Sequence, residues 1–225
     1  MDDYRESHRI FLLRHGETDW NRTARYQGIT DVPLNGIGIE QAHRLGVRLS
    51  RIAPDRVLSS PLSRAAKTAE IIMGVNASSA DIETREELRE ISFGIWEGLS
   101  IPEIKEIDGE TFKKWRLAPF SCAPEGGDDY ADIFERSKEL ASSLAGEGSR
   151  GQNTFVVAHG GILRAITAAL LGFSDIDLLW KMRFDNCSIT IVDIWEKRPS
   201  LLLSNDTWHM RLDGDETIAS LIFPY

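Results

Sequence analysis

Short runs of apolar and β-branched residues, each bounded by turn residues, recur at 8–15, 56–60, 153–159, 188–195 and 200–204, with a weaker one near 82–85. Runs of this length and composition read as strands. Between them, apolar residues return at helical spacing. Residues 36–52 carry Ile37, Ala42, Leu45, Val47 and Leu49, with Asn35 placed to cap the start. Residues 62–73 follow Pro61, which suits a helix beginning. Residues 128–144 and 162–171 carry the other two strong helical patterns, the second closed by Gly172. Strands alternating with helices predict an α/β fold, a mostly parallel sheet between helix layers. Residues 94–127 interrupt the rhythm, with Pro102, Pro119 and Pro124 among short helical pieces. That stretch reads as an insertion over one end of the sheet, within a single domain spanning residues 1–225.

Composition narrows the class. A chain of 225 residues with 42% hydrophobic and 27% charged residues is ordinary for a soluble globular protein. The first ten residues, MDDYRESHRI, are polar and do not read as a secretory signal. No apolar run reaches the ~18 residues of a membrane span. Cys122 and Cys187 lie far apart, which is no disulfide framework and fits a cytoplasmic location. Neither opens a phosphatase Cys-x-x-x-x-x-Arg loop, and neither has zinc-ligand spacing. The formal net charge of −9, from 26 Lys+Arg against 35 Asp+Glu, argues against nucleic-acid or membrane partners. A small anionic substrate remains open, provided positive charge is concentrated locally.

Such concentration occurs at the strand ends. Ligands of open parallel sheets bind beyond the carboxyl ends of the strands. The first strand stops at Arg14-His15-Gly16; RVLSSPLSR places Ser59 and Ser60 at a strand end and Arg64 in the next helix. FVVAHGG closes on His159, followed by Gly160 and Gly161. EELREISFGIWEG supplies Glu86, Glu87, Glu90 and Glu97. Guanidinium forks match phosphate oxygens, and the N-terminus of the helix opened by Gly160 favours an anion. A neutral imidazole is a competent nucleophile toward phosphorus, and a carboxyl group can protonate the leaving oxygen. For His15 to attack through one nitrogen, the other is expected to donate its proton to a backbone carbonyl. Phosphoryl chemistry of this kind calls for no cofactor and no metal, with positive charge from Arg14, Arg64 and, if protonated, His159. The GxGxxG at 146–151 precedes a strand instead of following one, the wrong context for a dinucleotide site.

Five segments in order, LRHGETDWN, DVPLNGIGIEQA, SSPLSRAAKTA, LREISFGIWEG and AHGGILR, resemble the histidine phosphatase superfamily. The resemblance implies a three-layer α/β/α sandwich and spans Ile10 to about Ile191. It implies that His15 is the phosphorylated nucleophile and that Arg14, Arg64 and His159 form the phosphate pocket. Glu90, not Glu87, matches the proton donor of the L-x-E-x-x-[FY]-G pattern. Asn21, Gln27 and Gly28 match secondary positions around the phosphate, and Asn186 a position near the substrate. The implied activity is metal-independent hydrolysis of a small phosphorylated metabolite. FGIWEG and the chain length resemble α-ribazole-5′-phosphate phosphatases and broad-specificity phosphatases more than the mutase branch. Phosphoglycerate mutase is the alternative; a non-catalytic phospho-ligand module would require a missing catalytic residue, and none is missing. One departure stands out: PEGGDDY puts Asp128 and Asp129 where many relatives have Glu and Ser. His8, His43 and His209 are expected to be surface or structural residues. Trp96, Trp115, Trp180 and Trp195 read as core or cap aromatics, the first two with a chance of touching substrate.

Overall fold

The computed structural model describes residues 7–76, 78–147, 151–173 and 181–211. Trp180 and residues 148–150 of the GxGxxG stretch lie outside them. Six strands form one sheet: β1 (His8–Arg14), β2 (Arg56–Ser59), β3 (Ile82–Thr84), β4 (Asn153–Ala158), β5 (Ile189–Trp195) and β6 (Arg198–Asp206). Their order is β3-β2-β4-β1-β5-β6. The first four neighbours are parallel, and β5 and β6 close one side as an antiparallel hairpin. Glu196 and Lys197, at φ 47° and 62°, make its two-residue turn. Consecutive left-handed residues are what a tight hairpin needs to match the strand twist.

Strand β1 shows why the sheet must be covered on both sides. Side chains alternate across a strand, and here four consecutive ones are apolar. Ile10 and Leu12 face α5 (Tyr130–Glu147) and α6 (Gly160–Leu170). Phe11 and Leu13 face α2 (Gly36–Leu49) and α3 (Ser63–Asn76). All four are at most 2% exposed, and each such burial contributes roughly 1.5–3 kcal/mol. Asn35 caps α2 as expected, its side chain accepting the Gly38 N–H. A short helix α1 (Asp19–Arg22) follows β1.

The insertion carries α4 (Ile101–Leu117), two short helical pieces joined across a kink at Asp108, in keeping with the short pieces expected among the prolines. Pro102 sits in the first turn, where no backbone N–H is required, and Ser100 with Glu103 forms a capping box. Asp108 breaks the helical dihedrals and accepts the Trp96 indole N–H at 3.0 Å. Phe112 and Trp115 bring the helix into the main core cluster. Among the described residues no helix is long and apolar enough to cross a membrane.

Candidate active site

The two histidines are delivered by sheet register. Arg14 and Ala158 are partners on the parallel strands β1 and β4. The next residue of each chain is therefore a histidine at the same sheet edge. His15 N donates to the Ala158 carbonyl at 3.0 Å, and the two imidazole centroids lie 5.1 Å apart. Gly16 permits the turn beyond β1: a Cβ there would collide with the Gly38 carbonyl.

Hydrogen bonds fix both tautomers. His15 Nδ1 lies 2.7 Å from the Gly16 carbonyl oxygen, which only accepts, so Nδ1 carries the proton and the lone pair is on Nε2. His159 has the opposite arrangement. Its Nδ1 accepts from Arg64 Nε at 3.2 Å, and its Nε2 donates to Ser60 Oγ at 2.8 Å. Burial, then the charges of Arg14 and Arg64, hold His15 well below the usual histidine range. Burial, then Arg64, His15 and Arg14, do the same for His159. Both rings are neutral at pH 7. His159 therefore positions Arg64 and is not the protonated charge source allowed for by the sequence.

Arg64 is 1% exposed and held at three corners. Besides His159, it donates from Nη1 to the Thr30 carbonyl at 2.9 Å and from Nη2 to the Gly28 carbonyl at 2.7 Å. The loop carrying those carbonyls is itself clamped by Glu97. The Glu97 carboxylate accepts from Ile29 N, Thr30 N, Thr30 Oγ1, Ser92 Oγ and Phe93 N. Gly28 has φ +55°, and a Cβ there would collide with the same carboxylate. Glu97 was visible only as one of four glutamates; its role depends on two segments meeting. Arg14 is anchored by Nη1 to the Phe184 carbonyl at 2.6 Å, while its buried Nε has no partner among the described residues. Burial pushes its pKa down to about 10, so it stays cationic at neutral pH.

Glu90 sits against the N-terminus of α6. Its Oε2 accepts from Gly161 N at 3.0 Å, and its Oε1 from Ile162 N at 3.0 Å and Ile91 N at 3.1 Å. Glu87 is exposed, in a 3₁₀ turn spanning Glu86–Leu88, so the segment separates the two carboxylates by a turn and not by strand alternation. Asp128 accepts from Ser92 N and Asp129 from Ala131 N, so both carboxylates order the local backbone.

These groups converge on one cavity of about 400 Å³. Arg14, His15, Asn21, Gln27, Gly28, Arg64, Glu90 and Gly160 all line it. His159 and Asn186 stand behind the wall. Asn186 Nδ2 donates to the His15 carbonyl and to Asn21 Oδ1, both at 3.1 Å. Gln27 Oε1 accepts from Thr18 Oγ1 at 2.9 Å. The far part of the lining was not foreseen: Arg25, Tyr26, Arg116, Tyr130 and Arg164 join Phe93 and Trp115. Trp96 is fully buried and does not reach the cavity. His8 and His209 are buried within the scaffold, bonded to Thr154 Oγ1 and the Cys187 carbonyl. Among the described residues, no group of three or more His, Cys, Asp or Glu side chains is arranged to hold a metal ion.

The chain is 33% identical over 202 residues to phosphoserine phosphatase 1 of Hydrogenobacter thermophilus, covering 90% of this chain and 94% of that one. It is 35% identical over 218 residues to glucosyl-3-phosphoglycerate phosphatase of Mycolicibacterium vanbaalenii, covering 92% and 87%. The crystal structure of the α-ribazole phosphatase from Shigella flexneri superposes with a TM-score of 0.80 at 30% identity, covering 93% and 100%. The sequence profile of the histidine phosphatase superfamily (branch 1) matches residues 10–207, and the chain belongs to that superfamily.

Proposed function

We propose that this protein hydrolyses phosphomonoesters of a small metabolite through a phosphohistidine on His15. The observation that carries this reading is the His15 Nδ1–Gly16 carbonyl bond, which puts the lone pair on Nε2 in an arginine-lined cavity. In the first step the Nε2 lone pair forms a bond to phosphorus while the ester P–O bond breaks. The departing oxygen keeps the electron pair and takes a proton from Glu90. Oε2 of Glu90 accepts only one N–H and so retains a lone pair to carry that proton. In the second step Glu90 takes a proton from water as the water oxygen attacks phosphorus. The P–N bond breaks, Nε2 recovers its lone pair, and phosphate is released. Arg14 and Arg64 stabilise the charge on the transferring oxygens.

Family membership and phosphatase relatives support the reaction class. The finer expectation, α-ribazole-5′-phosphate, draws support from the Shigella flexneri enzyme, but the phosphoserine and glucosyl-3-phosphoglycerate phosphatases are as similar. The proposal therefore stops at the phosphomonoester. A cytoplasmic setting fits the free Cys122 and Cys187. The test is rapid acid-free quenching during turnover of p-nitrophenyl phosphate. A protein-bound phosphoryl group that is stable to alkali and labile to acid is expected; turnover without such a species overturns the mechanism.

A further inference from the structure

Three features behind the end of β1 each cost free energy. Asp185–Ser188 is a reverse turn, closed by Ser188 N donating to the Asp185 carbonyl at 3.0 Å. Its third residue, Cys187, has φ +52°, a left-handed conformation that such turns usually give to glycine or asparagine. Asn205, near the end of β6, is also left-handed, at φ +50°. His209 is fully buried in a single 3₁₀ turn (Trp208–Met210), and its Nδ1 has no partner among the described residues. Strained backbone and an unmatched buried acceptor persist only where the surrounding contacts demand them.

Those contacts run in two directions. Toward the cavity, residues 184–188 hold Arg14 and His15 at several points. Cys187 N donates to the Arg14 and His15 carbonyls at 3.0 and 3.2 Å. The Ser188 carbonyl accepts from Arg14 N at 3.4 Å, and the Phe184 carbonyl accepts from the Arg14 guanidinium at 2.6 Å. Asn186 adds its bond to the His15 carbonyl. Asn205 and His209 hold the same segment from behind. Asn205 meets Asp185 twice: Oδ1 accepts from Asp185 N at 2.7 Å, and Nδ2 donates to Asp185 Oδ2 at 3.0 Å. The Cys187 carbonyl accepts from His209 Nε2 at 3.0 Å. A carbonyl only accepts, so in the neutral ring the proton is on Nε2 and Nδ1 is a bare lone pair. A phenylalanine would fill this space without that unmatched acceptor. What the imidazole adds is one donor, aimed at Cys187.

We propose that Asn205 and His209 are positioning residues for phosphoryl transfer. They lock the 185–188 turn, and that turn fixes the end of β1, so that the Arg14 guanidinium and the His15 ring meet phosphorus in one geometry. The proposal rests on the phosphohistidine reading and adds to it two residues that line no part of the cavity. Coulomb attraction to a phosphate changes little over a small displacement, whereas in-line attack does not tolerate one. Loss of either clamp therefore acts on kcat and leaves KM nearly unchanged.

The experiment measures kcat and KM with p-nitrophenyl phosphate for the wild type, His209→Phe, His209→Gln and Asn205→Gly. The first substitution removes the donor and fills the space. The second supplies an N–H donor at about the reach of Nε2, and the third keeps the left-handed backbone without the amide. His209→Phe and Asn205→Gly should each lower kcat about 10–100-fold with KM nearly unchanged. His209→Gln should recover most of that loss. An unfolded fraction would also lower kcat, so calorimetric titration with inorganic phosphate counts the competent sites. One site per chain, with affinity near that of the wild type, is expected in each variant. A site count that falls in proportion to kcat assigns a merely structural role and overturns the proposal. So does kcat near the wild-type value in both His209→Phe and Asn205→Gly, or a His209→Gln enzyme no faster than His209→Phe. A wild-type enzyme that leaves p-nitrophenyl phosphate intact would instead overturn the phosphatase reading, and this proposal with it.

Discussion

His15 and His159 stand side by side with their protons on opposite nitrogens: Nδ1 of His15 faces the Gly16 carbonyl, and Nε2 of His159 faces Ser60 Oγ. Adjacent strand ends bring the rings within 5.1 Å, yet their hydrogen bonds give them different tasks. One offers a lone pair to the cavity; the other spends its lone pair orienting Arg64.

His15→Ala removes the proposed nucleophile and should abolish turnover of p-nitrophenyl phosphate together with the acid-labile phosphoprotein. Steady-state assay and labelling check this, and hydrolysis near the wild-type rate would sink the assignment.

Glu90 and Glu87 should separate by leaving group. An alkyl alcohol needs a proton as the P–O bond breaks, whereas p-nitrophenolate leaves without one. Glu90→Gln is expected to slow alkyl phosphates about 10²–10⁴-fold and p-nitrophenyl phosphate markedly less. Glu87→Gln, on an exposed turn, should leave both nearly unchanged. The opposite pattern would identify the wrong carboxylate.

Glu97 holds the loop whose carbonyls hold Arg64. Glu97→Gln turns an N–H group toward donors that now meet a carboxylate, at a cost of about 1–3 kcal/mol in stability. It should also weaken inhibition by inorganic phosphate about tenfold. Combined with Arg64→Lys, it should add little further loss, because both act on one contact chain. Phosphate inhibition equal to wild type would show that the loop does not position Arg64.

Acid should destabilise the fold through its buried histidines. His8, His15, His159 and His209 all have folded-state pKa values below their ordinary value of 6.5, chiefly from burial. Below pH 6.5 the unfolded chain binds protons that the folded one does not, so stability falls as pH drops. Each histidine kept neutral contributes a slope of about 1.4 kcal/mol per pH unit. Urea unfolding at pH 7 and pH 5 should show this decline, and His159→Asn should flatten it. An identical slope in the variant would contradict the neutral His159 deduced from its bond to Arg64.

Chelation should leave activity intact, because the proposed reaction draws its positive charge from Arg14 and Arg64, which line the cavity. EDTA treatment followed by assay checks this; loss of activity that Mg²⁺ restores would require a different mechanism.

By itself, the sequence determined the elements and which strand-end residues meet at the cavity. Strands β1, β2 and β4 and helices α2, α3, α5 and α6 are written in local apolar periodicity, which does not depend on distant partners. His15, Arg14 and His159 are contiguous with strand ends, and parallel strands expose their carboxyl ends at one edge, so their convergence was readable in one dimension. Helix α4 was legible only as short helical pieces without bounds, because Pro102 has opposite meanings inside a helix and in its first turn. Only tertiary structure decided what each polar group does. The tautomers of His15 and His159, the clamp of Glu97 on the 28–30 loop and the embrace of Glu90 by α6 depend on atoms far apart in sequence. Arg116 and Arg164 share a cavity for the same reason: α4 and α6 are brought together by packing, and a cavity belongs to no single segment.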